Sequence, residues 1–321
     1  MSLLHTMKAL DLLDSAYVSG ESVKEALVAG GVKEENISVK TVTGPKGGST
    51  DFVKVWFYGS EGRHKGGSAP TIGIVGRLGG IGARPERVGL VSDADGAVSA
   101  VAIAMKLGDM VNRGDVLKGD VFVSTHICPT APTKPHDPVP FMGSPINMTI
   151  ANREEMSADL DAVISIDTTR GNRVINHRGF AISPTIKEGW IMRTSEDLLE
   201  LMSYTTGKAP VVFPITMQDI TPYGNGLYHL NSVLQPCTAT KAPVVGIALT
   251  AETMVPGCGT GSSQPADIES AVRYAIEVAK AFGEGKCSFY NEEEYRLCVE
   301  RYGEMKQLQG MGALPAADAD A

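Results

Sequence analysis

The chain has 321 residues with a formal net charge of −8, 43% hydrophobic and 21% charged residues, the balance of a soluble globular protein with enough length for a substantial core. No run of Lys or Arg exceeds two residues, which argues against a nucleic-acid backbone or an anionic membrane as partner. No apolar stretch approaches the ~20 residues that cross a bilayer, and the N-terminus has no signal-peptide cleavage pattern. The cysteines are five and contain no Cys-x-x-Cys pair, so free thiols in a reducing cytoplasm are expected.

LLHTMKALDLLDSAYVSGESVKEALVAGGV carries apolar residues at helical spacing and breaks at Gly20. It predicts two helices, the second capped by Ser19 or Ser22 and ended by Gly30-Gly31. ENISVKTVTG and DFVKVWFYG alternate and are joined by PKGGST, which predicts a β-hairpin. TIGIVGRLGGIG reads as a buried strand entering a glycine loop.

From there strand and helix patterns alternate. AVSAVAIAMKLGDMVNRG predicts a helix, GDVFVSTH a strand, PINMTIANREEMSADL a segment containing a helix, and DAVISID a strand. Irregular β-like chain follows. SEDLLELMSYTTG then predicts a helix with Ser195 as N-cap, and APVVGIALTAE a strand. DIESAVRYAIEVAKAFGEG and EEEYRLCVERYGEMKQL close the pattern as helices. Buried strands alternating with helices predict an α/β protein, three-layer α/β/α with a mixed, mostly parallel central sheet. Residues 1–310 read as one α/β catalytic-type domain and 311–321 as a disordered tail.

In open α/β sheets ligands bind outside the carboxyl ends of the strands. Arg77 follows TIGIVG, and Asp93 and Asp95 precede a helix. His126 ends GDVFVSTH, Asp167 ends DAVISID, and Glu252 ends APVVGIALTAE, with Cys258 soon after. His136 and Asp137 stand in the proline-rich loop after His126. Each has a plain structural explanation: Asp93 or Asp95 as a helix cap, His126 as a hydrogen-bonded core residue, the proline loop as a stiffener. Their convergence predicts a polar site able to take a divalent metal. YGNGLYH, with Asn225 and His229, reads as a turn or a substrate loop. PGCGTG could shelter a reactive thiol at Cys258, although a buried free cysteine is the commoner case. Dinucleotide and phosphate-loop fingerprints and the Gly-x-Ser-x-Gly elbow are absent.

From about Ala9 to Gly285 the order of elements resembles the catalytic domain of the di-zinc aminopeptidase superfamily, the group with deblocking and glutamyl aminopeptidases. SDADGAVSAVAIAMKL is similar to the segment whose Asp-x-x-Gly supplies the metal-bridging carboxylate, which implies that role for Asp93 with Gly96 as its glycine. DAVISIDTT looks like the strand whose final Asp binds the second zinc, which implies Asp167. Cys258 lies where the family places its last histidine ligand. The His-x-Asp that supplies the family's first ligand is missing, with Arg77 near its place, and His126 stands where the Glu-Glu pair would be. The whole sequence also resembles an uncharacterised bacterial and archaeal family.

The resemblance implies a zinc-exopeptidase-like (phosphorylase/hydrolase-like) fold and a metal-dependent hydrolase of small amide or peptide-like substrates. The metal, most simply zinc, would be held by Asp93 and Asp167, with His136, Asp137 and Cys258 as further candidates. It would bring the pKa of a bound water toward ~7. His126 would be the general base, Arg77 a carboxylate clamp, and Asn225 and His229 substrate contacts. The alternative is a diverged binding or assembly protein that keeps the fold. A further alternative is thiol chemistry at Cys258 or Cys128 with His126 or His229 as base. A homo-oligomer is expected by analogy.

Overall fold

The structure is a computed structural model and describes residues 1–77, 81–82, 89–135, 140–157, 159–216 and 227–307, with the side chain of Phe141 excepted. The chain opens with helices α1 (Ser2–Asp14) and α2 (Gly20–Ala29). Gly20 begins the second helix rather than breaking a longer one, because the Ser19 side chain caps it by accepting from the Ser22 amide at 3.1 Å. The hairpin follows as β1 (Ile37–Thr43) and β2 (Ser49–Phe57), paired antiparallel from Ile37 opposite Val55 to Thr43 opposite Ser49.

The alternating part runs β3 (Ile72–Gly76), α3 (Asp95–Asn112), β4 (Val121–Ile127), the short pair β5 (Thr133–Lys134) and β6 (Phe141–Met142), α4 (Met148–Glu155) and β7 (Ala162–Thr168). It continues with β8 (Gly179–Ile182), β9 (Thr185–Lys187), β10 (Trp190–Met192), α5 (Glu196–Thr206), a 3-10 segment Ser232–Thr238, β11 (Val244–Thr250), α6 (Pro265–Gly283) and α7 (Glu292–Tyr302). Ser195 does precede α5, but its hydroxyl donates to the Ser288 carbonyl at 2.6 Å and leaves the helix uncapped by a side chain.

Among the described residues one sheet runs β1-β2-β4-β3-β7-β11-β9-β10, with β8 also on β11. β4, β3, β7 and β11 are mutually parallel, and the antiparallel pairs lie to either side. This is the α/β architecture with a mixed central sheet that the pattern predicts. β3, β4 and β11 are buried along their whole length and β7 as far as Asp167, as expected of strands covered on both faces.

Their alternation sorts side chains into two cores. Ile72, Ile74, Val121, Val123, Ile164, Ile166, Ile247 and Leu249 join the core with α1, α3 and α6. Val75, Phe122, Val163, Val244 and Ala248 face the other way, into a core with Leu234 and Cys237 of the 3-10 segment. Burial of each Val, Leu, Ile or Phe side chain among these contributes roughly 1.5–3 kcal/mol.

Helix α3 lies against the sheet because its first turn has almost no side chains in the way. A Cβ on Gly96 would stand 2.1 Å from the Arg77 carbonyl oxygen and 2.6 Å from that of Ile166. One on Gly76 would stand 2.2 Å from the Gly96 carbonyl. The two glycines let the start of α3 touch the ends of β3 and β7. Among the described residues no helix is long and apolar enough to cross a membrane. The expected disordered tail, 311–321, lies outside the described residues.

Candidate functional site

The ends of β3, β4, β7 and β11 deliver the predicted polar residues to one edge, but strand alternation divides them between the two faces of the sheet. Arg77, His126 and Asp167 continue the parity of Val75, Phe122 and Val163 and fall on the α4 side. Asp93 and Asp95 lie at the entry to α3 on the opposite side.

On the α4 side, Arg77 and His126 are 2% and 3% exposed and meet over Glu155. The Arg77 guanidinium pairs with the Glu155 carboxylate and donates to Asn152 Oδ1 at 2.5 Å. His126 Nδ1 stands 3.1 Å from Glu155 Oε1, and its ring meets Phe52 edge-on. Ser124 Oγ donates to the Glu155 carbonyl at 2.7 Å, which fixes the end of α4 on β4. Burial alone would raise the Glu155 carboxyl; the Arg77 charge and the His126 contact reverse this and hold it below the usual carboxylate range. The Arg77 fork therefore faces Glu155 and Asn152 in the core.

On the α3 side the helix starts without a side-chain cap: Ala94 occupies the cap position, and Asp95 is the first helical residue. The capping explanation of Asp93 and Asp95 is thereby corrected. Asp95 is fully buried, forms an ion pair with Arg170, and accepts from Ser263 Oγ at 2.5 Å. Asp93 is half-buried, and its amide donates to the Gly257 carbonyl at 3.0 Å.

Asp167 is 7% exposed, with Oδ1 accepting from its neighbour's amide, Thr168, at 2.7 Å and Oδ2 from Ser232 Oγ at 3.0 Å. Thr168 points the other way and donates to the Ser92 carbonyl at 2.9 Å, which joins the Asp167 turn to the Asp93 turn. His229 is exposed just ahead of the 3-10 segment. Asn225, His136 and Asp137 lie outside the described residues.

Four of the five cysteines are buried, and Cys298 is half-buried. Cys128 and Cys258 are each 1% exposed in an apolar cluster with Val91, Ala131 and Met142. Burial pushes the Cys128 thiol up to about 11, which leaves almost no thiolate at neutral pH. Thiol catalysis at Cys128 does not fit this setting.

The metal expectation can be tested on the donor set. His126 is engaged with Glu155, Asp95 with Arg170, Asp167 with Ser232 and the Thr168 amide, and Cys258 sits in an apolar cluster. Among the described residues no group of three or more His, Cys, Asp and Glu side chains is arranged to hold a metal ion. The described donors do not fit a two-metal centre.

A model of the family described as "protein of unknown function (DUF1177)" matches residues 40–312. The chain belongs to the DUF1177 family. No curated protein matches it. Among solved structures, this DUF1177 chain is similar to a glutaminyl cyclase from an Acidobacteriales bacterium, at 10% identity and TM-score 0.50, over 88% of this chain and 94% of that one. It also matches a cytosol aminopeptidase from Coxiella burnetii at 14% identity and TM-score 0.48, over 84% of this chain and 67% of that one. A TET aminopeptidase from a marine-sediment Thaumarchaeota archaeon matches at 10% identity and TM-score 0.49, over 88% and 99%. At these identities the likeness is one of fold.

The residues that complete each polar group were not legible in advance. Glu155 is one of two adjacent glutamates in a polar helix, and its burial against Arg77 and His126 distinguishes it from Glu154. Arg170 stands in IDTTRGN, where an arginine before a glycine reads as a solvated turn. Asp267 reads as a first-turn acid of α6.

Proposed function

We propose that this chain is a non-peptidase member of an aminopeptidase-like fold that binds a small amide or peptide-like molecule at the carboxyl edge of its central sheet. The observation that carries this reading is that Asp95, His126 and Asp167 are already bonded to protein partners. Each of these side chains already has a protein partner, and the fully buried Asp95 has its countercharge in the Arg170 guanidinium. The exposed stretch Leu227–His229 beside the 3-10 segment, with Asn225 before it, supplies the substrate-side contacts in this reading. Identical subunits in a homo-oligomer and a cytoplasmic setting are part of the same proposal.

The test combines elemental analysis of protein purified without chelator with a thermal-shift screen of dipeptides and amino-acid amides. No stoichiometric metal is expected, with stabilisation by a subset of the compounds that is weakened in His229→Ala. Stoichiometric zinc together with peptide hydrolysis overturns the reading.

One observation favours the metal-dependent hydrolase as the second reading: the Thr168–Ser92 hydrogen bond brings the Asp167 and Asp93 turns together. In that case Asp93 and Asp167 hold the ion with help from His136 and Asp137, and Asp93→Ala and Asp167→Ala each lose it.

A further inference from the structure

Strand β2 carries a lysine on the face that α4 covers. Lys54 stands between Phe52 and Trp56, which share its face by period-two alternation. Phe52 packs with Ala151 of α4, and Lys54 lies opposite Ser124, whose hydroxyl holds the end of α4 through the Glu155 carbonyl. The Lys54 side chain is only 26% exposed.

One carboxylate serves two ammonium groups here. Glu154 Oε1 forms a close ion pair with Lys40 of β1, and Glu154 Oε2 stands 4.0 Å from Lys54 Nζ. That separation is too long for a hydrogen bond, and no other partner of the Lys54 amine stands among the described residues. The neighbouring carboxylate, Glu155, is taken up by Arg77 and His126. Burial and the Lys40 charge outweigh the two glutamates and hold the Lys54 amine below the usual lysine range. A lysine that is desolvated beside a second cation keeps more of its neutral, nucleophilic form near neutral pH. Lys40 is 61% exposed and in contact with its carboxylate, so it lacks the first of these conditions.

We infer that Lys54 is the reactive amine of this protein, a modification site that takes an acyl group from acyl phosphates. In the transfer the neutral amine attacks the carbonyl carbon of the donor. The N–C bond forms as the C–O bond to phosphate breaks, phosphate leaves as the anion, and the amine proton passes to water. The ammonium charge is lost, which leaves Glu154 to Lys40 alone. The inference stands on β2 and α4 and holds whichever ligand the sheet edge takes.

The experiment treats the full chain with limiting acetyl phosphate at pH ~7.5. Mass spectrometry reads the acetylation rate of each lysine, divided by its rate in the denatured chain. Lys54 is expected to react about threefold or more faster than the exposed Lys46 and Lys65. K40M removes the second cation and frees Glu154 for Lys54, so it is expected to slow Lys54 to the rate of Lys46. E154Q removes the countercharge and is expected to speed Lys54 further; circular dichroism checks that both variants keep the fold. A lysine that reacts only because it is accessible would not slow in K40M. A Lys54 no faster than Lys46 and Lys65 overturns the inference, and so does a Lys54 rate unchanged in both variants.

Discussion

The Nδ1 atom of His126 stands 3.1 Å from Oε1 of Glu155, with both residues buried. The same carboxylate holds the Arg77 guanidinium, so two residues from the ends of neighbouring parallel strands are tied to the last turn of α4. Histidine and arginine at strand ends resemble catalytic equipment. Here they anchor a helix to the sheet.

Breaking that anchor leaves a buried charge uncompensated. Glu155→Gln is expected to cost about 3–5 kcal/mol, because Arg77 then has no carboxylate. The double variant R77M/E155Q removes both charges and is expected to recover much of that loss. Urea unfolding of the three proteins checks this, and an R77M/E155Q protein as unstable as E155Q would refute the pairing.

The same carboxylate sets an acid limit. Its folded pKa lies below the ordinary value of 4.5, so its contribution is fully present above that value and is lost as pH falls through the lower, folded one. Thermal unfolding between neutral pH and pH ~3.5 should fall more steeply in wild type than in R77M/E155Q. Parallel profiles would show that Glu155 does not titrate in this way.

Gly96→Ala is expected to destabilise by roughly 2–3 kcal/mol. The new methyl would overlap the Arg77 and Ile166 carbonyl oxygens, which belong to the ends of buried strands and cannot easily retreat. An unchanged urea midpoint would mean that α3 shifts without cost.

Thiol labelling should separate the cysteines by burial. Burial pushes the Cys128 thiol up to about 11 and those of Cys237 and Cys287 to about 12, and Cys258 is 1% exposed. Cys298, half-buried on α7, is therefore expected to react first with iodoacetamide at mildly alkaline pH. Mass spectrometry of native against denatured protein reads the order, and early labelling of Cys128 would contradict it.

Local sequence determined the elements. The continuous apolar runs of β3, β4, β7 and β11 and the helical periodicities of α3 and α6 fix secondary structure through nearest-neighbour geometry alone, and their alternation fixes the α/β class. It also determined which residues reach the carboxyl edge, since Asp167 and His126 are written at strand ends. Which polar residues meet was decided by the tertiary structure. Period-two alternation sends Thr168 and Asp167 to opposite faces, and sequence shows that parity without showing what covers each face. Glu155 and Arg170 are far in sequence from the residues they neutralise, Asp95 and Arg170 by a whole strand–helix–strand unit. An ion pair of that kind depends on where two segments cross, and only the packed sheet brings them into contact.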